Sequence, residues 1–322
     1  MKTDSSKPQF DALPTAFACR MDSMATICVS GDEKYSYLQG QLTCDLDTLN
    51  ERMLLSGAHC DAKGKVFSVF RLFEHNDEVM MLMSKESAQA SLVQLQKFAV
   101  FAKAELAISE CGVLALAGTD IANVLTSQIG DLPSEKTPVI THQDLTLVYV
   151  SGRHDSYLLA GPEASLDKFL TRLELPVYSG CVWNLLEILN GFPHLSDSAI
   201  GEYVPQMLNV QALGGISFTK GCYMGQETVA RMKYLGKNKR AMFTLQGQSN
   251  ELVDSSSLLE KQLGDNWRRG GNITSLYQAD NGELYIQAVL ANDTDVDDIF
   301  RIKDLADTVL TQIPLPYDLT DE

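Results

Sequence analysis

Short runs rich in apolar and β-branched residues alternate along the first half of the chain with longer stretches of helical period. Met24 to Val29, Arg52 to Cys60, Val66 to Phe73 and Glu78 to Met83 predict strands. The second and third are joined by Asp61-Ala62-Lys63-Gly64-Lys65, a polar turn with glycine where a positive φ is needed, which predicts a hairpin. The methionines of Glu78 to Met83 read as core filler. Ser84 to Lys103 predicts a helix, because Ser84 can cap it and Leu92, Leu95, Ala99 and Ala102 recur on one face. The cycle then repeats. Cys111 to Ala117, Leu145 to Val150 and Tyr157 to Ala160 predict strands, Thr119 to Ile129 a helix, and Pro162 opens another helix with Leu166, Phe169, Leu170 and Leu173 facing inward. Strands followed by helices, twice over, predict an α+β region of antiparallel sheets built from two related halves.

Other stretches break the rhythm. Residues 1 to 15 are polar and punctuated by proline, and are expected to be loosely held. Tyr35 to Leu49 carries Gln39, Gly40, Gln41 and Thr43 among its apolar residues, too polar for a clean core element and suited to lining a site. Cys181 to Asn190 predicts a short helix stopped by Gly191 and Pro193. Glu202 to Phe218 strings Gln206, Asn209 and Gln211 among apolar residues, which suits hydrogen bonding to a heterocycle as well as an ordinary loop. From Ala241 on, short β segments continue through Gly270 to Tyr277 and Glu283 to Leu290, with a turn at Asp280-Asn281-Gly282, and predict a small β-barrel. The organisation is therefore an α+β region over 1–240, its halves split near 104–110 and the chain returning at about 180–240, followed by a barrel over 241–322.

Composition narrows the function classes. At 322 residues, 45% of them hydrophobic, the chain has room for two domains and a sizeable interior. Its 42 acidic and 26 basic side chains give a net charge of -16, which disfavours a general nucleic-acid binder. Seven cysteines form no CxxC and no zinc spacing, so no metal site is expected and they read as reduced thiols of a cytoplasmic protein. The polar start and the lack of any run of about 18 apolar residues lead to the same expectation, with no membrane association.

The densest chemistry lies at Lys220 to Glu227, KGCYMGQE. Gly221 and Gly225 flank Cys222 and allow the backbone to bend tightly around it. Lys220 and Arg231 supply positive charge that favours the thiolate, so a reactive thiol is one reading and a small buried hydrophobe the other. From Lys220 to Arg240 there are six basic residues, at 220, 231, 233, 237, 239 and 240, against one acid, Glu227. An anionic partner or a solvated basic loop both fit that reversal of charge. Trp183, with Glu187 one turn later, is either core or an aromatic wall for a planar ligand.

Taken together, GGISFTKGCYMGQETVAR with Lys239-Arg240, Tyr37-Leu38-Gln39-Gly40-Gln41-Leu42-Thr43, Asp61-Ala62-Lys63-Gly64-Lys65, Asn266-Trp267-Arg268-Arg269 and Pro314-Leu315-Pro316-Tyr317 resemble the bacterial folate-binding relatives of the glycine-cleavage T-protein. The likeness runs from about residue 20 to the C-terminal tail. It implies a folate-binding α+β region with an aminomethyltransferase-like β-barrel around a central hole or cleft. It also implies tetrahydrofolate as cofactor, and a role in making or repairing iron-sulphur clusters, with partners among iron-sulphur assembly proteins and enzymes that methylthiolate tRNA. Trp183 matches a family tryptophan assigned to folate contact, and Cys222 and Lys220 match signature residues. Gln206, Tyr223 and Arg231 are further candidate folate contacts, and the basic stretch 231–240 suits a folate's glutamate tail.

Two positions depart from the family. A second folate-associated tryptophan falls on Met24, which would replace stacking with a softer sulphur contact. The T-protein's acidic pair has no counterpart in Gly64-Lys65-Val66-Phe67-Ser68-Val69, which argues against aminomethyl transfer and against a conventional enzyme. A folate-dependent accessory factor working through the Cys222 thiol is thus expected. The alternatives are a one-carbon transferase, an RNA-interacting module through 231–240, and a cysteine hydrolase using His59 or His194, for which the spacing offers no support.

Overall fold

The computed structural model describes residues 2–236 and 238–319. β1 (Phe17–Arg20) leads into β2 (Met24–Ser30), α1 (Lys34–Gln39), β3 (Leu55–Cys60), β4 (Val66–His75), β5 (Glu78–Ser84), α2 (Lys85–Ala99) and β6 (Glu105–Ile108). Of these, five strands form one sheet in the order β3-β4-β5-β2-β6, antiparallel throughout. There follow β7 (Gly112–Ala117), α3 (Ile121–Ile129), β8 (Val139–His142), β9 (Leu145–Val150), β10 (Ser156–Gly161), α4 (Glu163–Leu173) and β11 (Val177–Tyr178). With β1 these strands make a second sheet, β11-β1-β7-β10-β9-β8, in which only the β1–β11 pair is parallel among the described residues.

The two sheets lie face to face with helices outside, and side-chain alternation along the strands builds the layers. In β5, Val79, Met81 and Met83 pack with Leu92 and Leu95 of α2, while Met80 and Leu82 point into the inter-sheet core. In β7, Leu114 and Leu116 meet α3 and α4, while Ala115 and Ala117 face inward. Strands covered on both faces read as unbroken apolar runs, which is why Glu78 to Met83 shows no polar alternation. Ser84 caps α2 as expected, its hydroxyl accepting from the Ser87 amide at 3.3 Å.

α5 (Gly180–Leu189) wedges between this sandwich and the rest of the chain. Val182, Trp183 and Leu186 enter the inter-sheet core, and Leu185, Ile188 and Leu189 pack on Tyr277 and Tyr285. A helix buried on all sides explains the near-continuous apolar run. α6 (Gln226–Tyr234) then precedes β12 (Arg240–Gln248), β13 (Leu258–Leu263), β14 (Asn266–Gln278), β15 (Glu283–Ala291), β16 (Ile299–Ile302) and β17 (Leu305–Ile313). These six strands close into a barrel, β12-β15-β14-β13-β16-β17, filled by Leu245, Leu259, Ile286, Phe300 and Leu310 among others. Full closure leaves no exposed sheet edge there.

Three local expectations change. The described part of the leading segment, residues 2–15, is not loose: the Asp4 amide donates to the Val177 carbonyl and its own carbonyl accepts from Ser179, while Tyr277 of the barrel donates to the Pro8 carbonyl. Long-range backbone pairing, invisible to local composition, holds the segment. Tyr35 to Leu49 contains α1, with Leu38 and Leu42 fully buried beneath its polar residues. The basic stretch after Cys222 is helical through Tyr234 rather than a loop, and Lys237 lies outside the described residues.

Candidate functional site

The KGCYMGQE segment is held from below by the polar run that follows α1. Lys220 Nζ donates to the carbonyls of Leu42 at 3.0 Å and Cys44 at 2.6 Å. The Ser217 amide donates to the Thr43 carbonyl, the Met224 amide to the Gly40 carbonyl, and the Thr43 hydroxyl to the Gly215 carbonyl. The polar residues of 39–44 thus serve as a backbone cradle for the signature segment. Lys220 is buried, and burial pulls its ammonium below the ordinary lysine range while the Cys44, Asp45 and Asp47 side raises it. Its charge is therefore committed to the 42–45 turn, a correction to its expected service to the Cys222 thiol.

Cys222 itself is exposed, whereas Cys44 and Cys60 are buried, with desolvation pushing the Cys44 thiol up to about 12. The thiol is presented to solvent on a fixed loop. Tyr223 beside it is buried, with the Lys220 ammonium 5.3 Å from its ring centre, and desolvation raises its phenol above the ordinary range.

The two flanking glycines differ in role. Gly225 has φ +82, and a Cβ there would lie 2.6 Å from the Asp61 carbonyl and 2.8 Å from Gly64 Cα, because the β3–β4 turn packs against the start of α6. Gly221 has open space around it. Gly225→Ala is expected to cost about 1–3 kcal/mol in urea unfolding, and Gly221→Ala within about 0.5 kcal/mol. Equal losses at the two positions would contradict this placement.

The amide-rich approach also resolves into support. Gln206 is buried and its Nε2 donates to the Val229 carbonyl of α6 at 2.6 Å, while Asn209 exchanges hydrogen bonds with the Met242 backbone of the barrel. Arg231 sits on the exposed side of α6, 3.8 Å from Glu227. His59 is buried against Ser91 and Phe67 and His194 is half-buried, and desolvation lowers both imidazoles to about 4. Among the described residues neither histidine hydrogen-bonds Cys222, which removes support for a Cys–His nucleophile. No group of three or more His, Cys, Asp or Glu is gathered to hold a metal ion among the described residues.

The expected site residues consequently fall into two groups. Lys220, Cys222, Tyr223, Gln206 and Arg231 surround the start of α6 and its support. Met24 and Trp183 share the inter-sheet core, 8% and 1% exposed. Among the described residues no hydrogen bond, ion pair or shared apolar cluster links the two groups.

None of these residues lines a cleft of about 500 Å³ bordered by Ser56 and Arg71 of the first sheet, Tyr149 and Val150 of the second, Phe192 after α5, and Tyr317 of the C-terminal tail. That volume is within the range of small-molecule sites, about 300–1,000 Å³. Two charged residues line it, Glu135 and Arg71; the Arg71 guanidinium lies 3.7 Å from the Phe192 ring centre and pairs at 2.6 Å with Glu187 of α5, both of these side chains almost fully buried. Burial pushes the Glu187 carboxyl above its ordinary range, and Arg71 pulls it back. The sequence reading noted Glu187 only as a neighbour of Trp183 and missed Arg71. A lone carboxylate inside the apolar run of α5 was the available signal.

Two atoms on this helix lack partners. Trp183 Nε1 and Glu187 Oε1 are buried without a hydrogen bond, one turn apart on the same face. Buried polar atoms are normally satisfied, and of the two residues Glu187 is tied to the cleft through its pair with Arg71.

Comparison with known proteins follows the same lines. Residues 238–305 match a family model described as the YgfZ β-barrel domain. The chain is 48% identical over 321 residues to the tRNA-modifying protein YgfZ of Colwellia psychrerythraea, covering 99% of each. It is 39% identical to the protein of that name from Pectobacterium carotovorum, covering 94% of this chain and 91% of the relative. Among solved structures, the glycine cleavage system aminomethyltransferase T of Bartonella henselae superposes with TM-score 0.71 at 16% identity, covering 94% of this chain and 86% of that one. Its fold, sandwich and barrel together, is therefore shared. No helix among the described residues is long and apolar enough to cross a membrane.

Proposed function

The chain belongs to the YgfZ family, and from that premise we propose that it is a tetrahydrofolate-binding accessory factor for tRNA modification, supporting iron-sulphur-dependent methylthiolation through the Cys222 thiol. The relatives' name supplies the tRNA connection, and the T-protein-like fold supports folate as the ligand class. In this reading residues 1–240 form the folate-binding region and 241–322 an aminomethyltransferase-like barrel.

The observation that carries the folate assignment is the cleft that Arg71 enters, whose buried partner Glu187 keeps one oxygen, Oε1, without a hydrogen bond. A pterin ring presents N–H donors next to ring acceptors, which suits an unpaired carboxylate oxygen held against a guanidinium. Arg71 and Glu187 would orient the heterocycle and Phe192 would hold the Arg71 plane, while Trp183 and Met24 pack in the inter-sheet core. When bound, the folate supplies a one-carbon carrier or a redox-active pterin. The chain's part is to bind it, exclude water from it and hold Glu187 against Arg71.

The thiol belongs to a separate surface. Cys222 stands exposed on a loop fixed by Lys220, the geometry of a soft ligand or nucleophile offered to a partner rather than to a buried substrate. The partners so implied are iron-sulphur enzymes or assembly proteins. Working in the cytoplasm is part of the same proposal. Gly64 to Val69 carries no carboxylate near the hairpin, which counts against aminomethyl transfer.

A tetrahydrofolate titration followed by tryptophan emission tests the binding half. Saturable quenching is expected in the native protein and its loss in Trp183→Phe, leaving only Trp267, which lies in the barrel under Arg301. Quenching that survives Trp183→Phe would place the ligand elsewhere.

A further inference from the structure

A second cavity, of about 260 Å³, borders the end of α5 and shares Asn190 with the cleft. Its floor is apolar, formed by Phe17 and Ala117 of the second sheet and Leu186 and Leu189 of α5. Its roof is the N-terminal segment, where Phe10 stacks on His154 with ring centres 5.6 Å apart and planes within 6°. That segment is pinned before the roof by Pro8, whose carbonyl accepts from Tyr277 of the barrel, and after it by Thr15, whose carbonyl accepts from the Asp120 amide, so the roof is a fixed strap.

Two opposite charges line this cavity, Asp11 on the strap and Arg153 on the β9–β10 turn. The Arg153 turn is itself anchored, its backbone amide donating to Asn190 Oδ1 at 3.0 Å. Among the described residues neither Asp11 nor Arg153 makes an ion pair or a side-chain hydrogen bond, and they do not pair with each other although they border the same space. An apolar chamber with one anion and one cation left free at its wall matches a small molecule that carries both charges next to an apolar group.

We infer that this cavity is a binding site for a free hydrophobic α-amino acid: Arg153 takes its carboxylate, Asp11 its ammonium, and the floor its side chain. The cavity falls just below the usual range for drug-sized ligands, about 300–1,000 Å³, as a single amino acid requires. The inference stands apart from folate binding, since Asp11 and Arg153 do not border the Arg71 cleft.

Isothermal titration of the full chain with L-leucine and L-phenylalanine tests it, alongside their N-acetyl and methyl ester derivatives. Both amino acids are expected to bind saturably, and each singly capped derivative about tenfold more weakly, the loss of one charged hydrogen-bonded pair. Asp11→Asn should erase the difference between amino acid and N-acetyl derivative, and Arg153→Gln the difference between amino acid and ester. Both residues are exposed, so neither change threatens the fold. No saturable heat with either amino acid up to about 10 mM, equal binding of the capped forms to the native chain, or unchanged discrimination in the variants would overturn it.

Discussion

Replacing Arg71 with methionine is expected to destabilise the protein by about 3–5 kcal/mol, because it leaves the Glu187 carboxylate buried without its counter-charge. Arg71 and Glu187 are 6% and 1% exposed at their side chains and 2.6 Å apart, so solvent cannot replace the lost partner. Arg71→Met combined with Glu187→Leu should recover most or all of the loss, since well-packed apolar residues often match or exceed a buried ion pair. The single variant should also acquire a pH signature. Burial already raises the Glu187 carboxyl, and without Arg71 nothing opposes it. The folded state then holds a proton that the unfolded chain releases near its ordinary carboxyl value of about 4.3. Stability is accordingly retained below that pH and lost as pH rises through the raised folded value. Urea unfolding between acid and neutral pH measures this directly. A deficit that does not grow with pH, or a double variant as weak as the single one, would show that Glu187 is not the source. The same single variant should lose tetrahydrofolate binding.

Cys222→Ser is expected to abolish support for methylthiolated tRNA in cells while leaving tetrahydrofolate quenching of Trp183 intact. Serine is close in size and Cys222 is exposed, so stability should change by less than about 0.5 kcal/mol. Its hydroxyl, however, does not ionise near neutral pH and is a poor soft ligand, so the chemistry of the position is removed without the fold. The measurement is the methylthio content of tRNA in a strain lacking its own copy of the gene, complemented by either form. Native methylthiolation with the serine variant would eliminate the thiol's role and leave folate binding standing. Lost folate quenching in that variant would instead mean that Cys222 belongs to the cleft, against its separation from Trp183.

Much of the architecture is readable locally. The β3–β4 hairpin follows from Gly64, whose φ of +75 few other residues adopt, and α2 begins where Ser84 can cap it. The barrel follows from closely spaced short strands and the turn at Asp280 to Gly282. β1 escaped notice because four residues carry too little period to stand out, and α6 because its six-residue surround of charge reads as a solvated loop.

The chemistry divides differently. By composition and motif alone the chain declares an acidic α+β protein with a closing β-barrel, a singular KGCYMGQE segment, a tryptophan helix and no carboxylate in Gly64 to Val69. Those features rest on neighbouring residues, whose turns, caps and periods act over a few positions. What each group touches was decided only in three dimensions. Lys220 bonds the Leu42 and Cys44 carbonyls, 178 and 176 positions away, rather than Cys222 two positions on, and Arg71 finds Glu187 across 116. A buried charge must take whichever acceptors the folded core places beside it, and those are set by the packing of sheets, helix and barrel, which no local window of sequence contains.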